Sequence, residues 1–306
     1  MFALPISVLL VITVVTSWGK SVLGGYYAKR VPDAARFTWL FGLIQSVVCG
    51  GAIALVLGLS GGLGTFSIMS VILGLIMGLA NIFGLVTNLF AMACGPFTYT
   101  TVIISMSTVI TALSGPFFGE GWPSAFQWIG IALMVVCLIL APERKKDETK
   151  RVTLKWLILC GLSLICSGVT GIVQKTHQAP DSLVASEMAA LLITAFSVSA
   201  VFSAVMMAVR AVREGRESHT HAGKVPASVF TTSIVSGAIF AFPHTVNLFL
   251  AGKLPAVIMF PLVNLCPMIV AMVTGILLFR ERLSPARWAG VAIGLVSIVL
   301  VSGVLG

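Results

Sequence analysis

From Phe37 to Gly119 the chain reads Phe37-Thr-Trp-Leu-Phe-Gly-Leu-Ile-Gln45 and on to Ser114-Gly-Pro-Phe-Phe-Gly119, 83 residues without one Asp, Glu, Lys, Arg or His. A water-soluble fold cannot cover that much chain without a charged face, so this stretch belongs in lipid. The remainder agrees with it. Of 306 residues, 58% are apolar or aromatic and 9% are charged, against about 45–50% and about 25% in soluble domains. The same numbers exclude disorder, which needs low hydrophobicity and high charge. An outer-membrane barrel would alternate apolar and polar residues in segments of about 10. The chain therefore reads as an all-α integral membrane protein. Its net charge of +9 does not point to nucleic acid, because the charges sit in loops, where they orient the chain against the membrane.

Working outward, each crossing needs about 20 apolar residues. Ten transmembrane helices are expected, at Leu4–Tyr27, Thr38–Leu59, Phe66–Ala91, Phe97–Phe118, Ser124–Ala141, Leu154–Gln174, Leu183–Val209, Ser228–Ala251, Pro255–Phe279 and Ala286–Val304. Turn-rich breaks such as Cys94-Gly95-Pro96 and Gly252-Lys253-Leu254-Pro255 separate them. Loops after odd-numbered spans carry 16 Lys and Arg, and those on the other side carry Lys175 and Lys253. That bias places the 16 in the cytoplasm and both termini outside, in a multi-pass protein of the plasma (cell inner) membrane. The first apolar run has no basic residue before it and reads as a span rather than a leader. Cys49, Cys94, Cys137, Cys160, Cys166 and Cys266 all fall in apolar runs and read as small buried hydrophobes, not as metal ligands.

Self-comparison shows a repeat. Gly78-Leu-Ala-Asn-Ile-Phe83 leads through Asn88-Leu89-Phe90 to Pro96, and Gly237-Ala-Ile-Phe-Ala-Phe242 leads through Asn247-Leu248-Phe249 to Pro255, at a constant offset of 159. At an offset of 160, Trp128, Gly130 and Ala132 match Trp288, Gly290 and Ala292, each set preceded by a lone acid, Glu120 or Glu281. Asn, Trp and Pro agreeing in order is hard to obtain by chance. Residues 1–150 and 151–306 are thus expected to be two five-helix repeats. Five is odd, so the second repeat enters the membrane from the opposite side. Such inverted repeats are common in secondary transporters.

The motifs themselves resemble those of a known family. Ser17-Trp18-Gly19 is similar to the Trp-Gly signature that opens EamA-like repeats of the drug/metabolite transporter superfamily. Phe279-Arg280-Glu281-Arg282-Leu283-Ser284, followed by Trp288 and Gly290, resembles the box joining the last two helices of such repeats. Phe118-Gly119-Glu120 with Gln127, Trp128 and Gly130 resembles its first-half copy, without the Arg-Leu-Ser, and Ser167-Gly168 stands where a second Trp-Gly would be. The resemblance spans essentially the whole chain. It implies that the first, third and fourth helices of each half line a cavity, and that the cargo is one of many small metabolites.

Polar groups at membrane depth are costly and tend to face a bundle interior. Lys20 is the one basic residue well inside a span; it either snorkels to the interface or meets an anionic group or a coupling ion. His244 follows Pro243 at mid-span and either holds two helices together or titrates and donates to a substrate. Asn88 and Asn247 are the repeat-related amides, while Asn81, Gln45, Gln174 and Asn264 are unduplicated. Asn264 lies between Pro261 and Pro267, which are expected to bend or unwind the ninth span. Trp18 and Tyr99 offer ring faces, and Glu187 is the one acid inside a span, near a helix N-terminus. The expected substrate-binding set is Trp18, Lys20, Asn81, Asn88, Tyr99, His244, Asn247 and Asn264. Glu120 and Glu281 read as structural.

No Gly-x-x-x-x-Gly-Lys-Ser/Thr loop and no His-Glu-x-x-His motif occurs, so neither ATP hydrolysis nor zinc proteolysis is encoded here. His219 and His221 lie in a basic loop. The reading that results is a non-enzymatic secondary transporter moving a small polar metabolite, a sugar or an amino acid, by alternating access. It needs no cofactor and no metal, and its partners are membrane lipid and a coupling proton or exchanged solute. A multispan enzyme acting on a lipid-linked substrate and a non-transporting scaffold are the alternatives.

Overall fold

The computed structural model describes residues 5–59, 64–119, 122, 124–140, 154–179, 182–217, 225–278, 280 and 285–301. Among them every regular element is helical: α1 (Ile6–Arg30), α2 (Thr38–Leu59), α3 (Ile68–Cys94), α4 (Phe97–Ser105), α5 (Ser107–Leu113), a 3₁₀ turn (Gly115–Phe118), α6 (Ala125–Leu140), α7 (Leu154–His177), α8 (Met188–Glu217), α9 (Ala227–Ala251), α10 (Ala256–Leu278) and α11 (Pro285–Val301). Pro5, Pro96 and Pro226 stand at the N-caps of α1, α4 and α9, where a missing N–H costs nothing. Ser67 caps α3 through its hydroxyl, which accepts from the Ser70 N–H. Six helices, α1, α2, α3, α7, α8 and α9, are long and apolar enough to cross a bilayer. The bundle turns apolar side chains such as Val11, Leu55, Ile68, Leu162 and Val201 outward and buries Thr13, Gln45, Ser70, Ser199 and Ser203. That inversion of the soluble pattern suits a protein solvated by lipid.

Helix α3 packs on α7 and α8, and α9 packs on α1 and α2; α2 also packs on α8, α1 and α4 on α10, and α6 on α11. Among the described residues, two glycines permit the closest approaches to a neighbouring helix's backbone. A Cβ at Gly78 would stand 2.4 Å from the Ala195 carbonyl oxygen and 2.8 Å from Val198 Cβ on α8. One at Gly237 would stand 2.8 Å from the Gln45 carbonyl oxygen and 2.9 Å from Val48 Cβ on α2. The Ser199 hydroxyl donates to the Gly78 carbonyl at 2.7 Å across the first of these contacts.

Several expectations are corrected. The fourth span is not one helix: it breaks at Met106, between α4 and α5. The hydroxyls of Thr100, Thr101, Ser105, Thr111 and Ser114 donate back to carbonyls three or four residues earlier, a competition that bends helices. By contrast, α10 runs unbroken through Pro261 and Pro267. Helix α8 starts later than Leu183 and continues past Val209, so Arg210 belongs to it rather than to a loop; its guanidinium donates to the carbonyls of Ala35 and Arg36. Cys94 is exposed, unlike the buried Cys49 and Cys160. The basic segment 142–153, Glu120, Glu281, His219 and His221 lie outside the described residues.

Glu187 sits just before α8, not inside it, and its carbonyl accepts the first helical bond from Leu191. Its carboxylate staples α8 to the start of α3. One oxygen accepts from the Ser67 N–H (3.0 Å) and from the hydroxyls of Ser67 and Ser70 (both 2.6 Å), and the other accepts from Thr65 (2.9 Å). His177, at the end of α7, meets Ser70 at 3.3 Å and Gln178 at 3.0 Å. The hydrogen bonds from Ser67 and then Ser70 hold the Glu187 carboxyl down to about 2 from an ordinary 4.5. A carboxylate so depressed contributes its full stability above pH 4.5 and loses it as the pH falls toward about 2. Thermal melts of detergent-purified protein across that window are expected to show a falling midpoint that Glu187→Gln flattens. In the same assay, Gly78→Ala and Gly237→Ala are expected to cost on the order of 1–3 kcal/mol each through overpacking. Gly51→Ala, whose Cβ would meet nothing within 4 Å, should not lower the midpoint.

Candidate substrate cavity

The helices enclose a cavity of about 240 Å3, below the roughly 300–1,000 Å3 of drug-sized sites and suited to a small solute. Helical spacing brings its lining residues to one face of each wall helix. Ser17, Lys20, Ser21 and Gly24 do so on α1; Asn81, Leu85, Asn88 and Met92 on α3; Ser167, Thr170 and Gln174 on α7; Ser236, Phe240, Pro243, His244 and Asn247 on α9. Ser105 and Ser107 line it from the two sides of the Met106 break, and Asn264 from α10. Besides α1, α3, α4, α5, α7, α9 and α10, α2 also contributes, through Phe41 and Gln45.

Six of the eight expected site residues therefore meet here: Lys20, Asn81, Asn88, His244, Asn247 and Asn264. Trp18 and Tyr99 are not in the wall. The Trp18 indole turns to α10, where its N–H donates to the Thr274 hydroxyl at 2.8 Å. Tyr99 is fully buried among Trp156, Met268 and Val291. Phe240 and Gln45 line the cavity where neither ring does. Phe240 stands 159 residues after Asn81, so the repeat register was the signal that marks it.

Some wall residues are already occupied. The Thr170 hydroxyl donates to Asn81 Oδ1 at 3.2 Å, and Asn264 Nδ2 donates to Thr108 Oγ1 at 2.9 Å, joining α10 to α5. Others are not. Gln45 Oε1, Asn81 Nδ2, Asn88 Oδ1, His244 Nδ1 and Asn247 Oδ1 are buried without any hydrogen-bond partner. Each such atom costs about 1–3 kcal/mol, and native proteins keep few of them without reason. All five belong to residues of the cavity wall.

Lys20 does not snorkel. Its ammonium lies 3.4 Å from the centre of the Phe240 ring. That ring stands edge-on to His244 at 4.2 Å, and His244 meets Phe196 at 5.2 Å. Placing a lysine at mid-membrane costs about 2.5–3.5 kcal/mol on insertion scales, and a cation–π contact returns about 0.5–2. Among the described residues no Asp or Glu lines the cavity and no cluster of His, Cys, Asp or Glu is arranged to hold a metal.

An apolar exterior around a small polar chamber is how a solute carrier is built, and the family comparison gives the same answer. The sequence model described as "Sugar transport protein" matches residues 42–306. The chain belongs to the sugar transport protein family. Membership makes it a multi-pass membrane transporter of a small molecule. Among curated proteins none matches. A solved structure described only as the crystal structure of a protein aligns over 96% of this chain and 99% of its own, with a TM-score of 0.62 and 12% identity. At that identity the likeness is one of fold.

The orphaned amides yield a prediction about the empty protein. Asn88→Leu and Asn247→Leu replace an unsatisfied polar group by an apolar one of similar volume. Each is expected to raise the thermal midpoint by a few degrees in solute-free detergent, measured by scanning fluorimetry.

Proposed function

We propose that the chain is a secondary transporter that carries a monosaccharide-sized sugar through this cavity by alternating access. The observation that carries the reading is the convergence of five unpartnered buried polar atoms on one chamber. They are amide oxygens, an amide nitrogen and an imidazole nitrogen, the mixture of acceptors and donors that a ring of hydroxyl groups requires. The family description names sugar as the cargo class. A coupling proton or an exchanged solute drives the movement.

The architecture proposed for it is ten crossings in two inverted repeats, 1–150 and 151–306, of the EamA-like kind. To the six long spans, the α4–α5 pair, α6, α10 and α11 add four. The two-fold relation is supported by matched packing. α3 lies on α7 and α8 as α9 lies on α1 and α2, and the repeat-related Gly78 and Gly237 make the corresponding close approaches. The charge bias supports cytoplasmic odd-numbered loops, outside termini and residence in the plasma membrane.

Uptake of radiolabelled hexoses into proteoliposomes tests this. Saturable, competable flux is expected, and Asn88→Leu or Asn247→Leu should lower it about tenfold or more, since each removes a hydrogen bond made to the solute. Ion leakage at channel rates without saturable flux would overturn the proposal.

A further inference from the structure

The sugar reading leaves the charge at Lys20 unexplained, because a neutral solute gives it nothing to balance. Lys20 is the one cationic side chain in the cavity wall, and no carboxylate shares that wall among the described residues. What faces it is the Phe240 ring, 3.4 Å away, with the His244 imidazole edge-on to that ring. Neither brings a negative charge. The two residues that face Lys20 from α9 are thus an aromatic face and a nitrogen heterocycle whose Nδ1 is itself buried and unpartnered. His244 is more than nine-tenths buried. The corresponding place in the other half is different in kind. There Thr170 of α7 meets Asn81 of α3 in a neutral hydrogen bond. With Ser167-Gly168 standing for Trp18-Gly19, Val169 stands for Lys20, and Asn81 stands for Phe240 at an offset of 159, so no cation recurs there. The cation is therefore no part of what the two halves share as scaffold.

Resting on the sugar reading, we infer that the preferred cargo is an acidic monosaccharide, a hexuronate or aldonate, whose carboxylate pairs with the Lys20 ammonium while its hydroxyls meet Asn88, Asn247, Asn81 and Gln45. A carboxylate is favoured over a phosphate by charge. One ammonium balances one negative charge, whereas a phosphate monoester carries about −1.5 to −2 at neutral pH and would leave part of it unpaired. Charge-assisted hydrogen bonds are roughly twice as strong as neutral ones, so the carboxylate sets the order of preference among sugars of one size.

Binding of glucuronate, glucose and glucose 6-phosphate to the purified full chain at pH 7, by titration calorimetry, tests the inference. Glucuronate is expected to bind about tenfold or more tighter than glucose. Lys20→Gln should erase that ratio, and Lys20→Arg should retain it. The comparison within wild-type protein does not depend on any variant folding. Equal binding of glucose and glucuronate overturns the inference and leaves the sugar reading standing. So does a glucuronate preference that survives in Lys20→Gln, because the anion is then held elsewhere. Tighter binding of glucose 6-phosphate than of glucuronate overturns the carboxylate assignment. Binding of none of the three removes the sugar reading, and the inference with it.

Discussion

Hydrocarbon offers no hydrogen bonds, and that constraint governs where every polar atom of this protein sits. The outer surface is given to Val, Leu and Ile, while hydroxyls are turned back on their own helix or spent on a neighbour, as the Ser199 hydroxyl donates to Gly78 and the Thr100 hydroxyl accepts from the Trp156 indole. A bundle organised this way has few polar atoms left over. Among the described residues, five of those that remain belong to side chains lining one chamber. Among the described residues the rule of internal satisfaction is most relaxed at the chamber, and this is why the polar residues there bear on function more than the many buried hydroxyls do.

Scaffold and site differ in how far they obey the repeat. The close contacts at Gly78 and Gly237, the prolines at 96 and 255 that open α4 and α10, and the amides Asn88 and Asn247 recur at one offset. The contacts around Lys20 and Phe240 do not recur as a charge. Packing tolerates such recurrence because the same close helix spacing serves both glycine contacts. Recognition of a solute without symmetry does not, and the backbone differs too: α4 ends at the Met106 break while α10 runs on through Pro261 and Pro267.

Much of this was legible beforehand. Apolar run length located the helices to within a few residues at α2, α7 and α9, since the hydrophobic thickness of a bilayer acts on composition directly. Spacing along α1, α3 and α9 likewise brought Lys20, Asn81, Asn88, His244 and Asn247 together. What was missed depends on pairing. Trp18 is one residue from Ser17 and two from Lys20, yet a helical turn of about 100° per residue carries its indole to Thr274 instead of the chamber. Nothing local announces the break at Met106, because hydroxyl back-bonding and proline both compete with the helix, and which of them prevails is settled by neighbours. Glu187 was read as an in-span acid, since its stapling partners Thr65, Ser67 and Ser70 lie more than a hundred residues away.

The lone ammonium has a geometric corollary. It hangs from α1 and rests on α9, while between α7 and α3 the Thr170–Asn81 contact is neutral, so the chamber has a head and a foot. A molecule charged at one end can settle there in one pose only. In a rocking carrier it would keep that heading throughout the crossing, presenting the same end to whichever doorway opens.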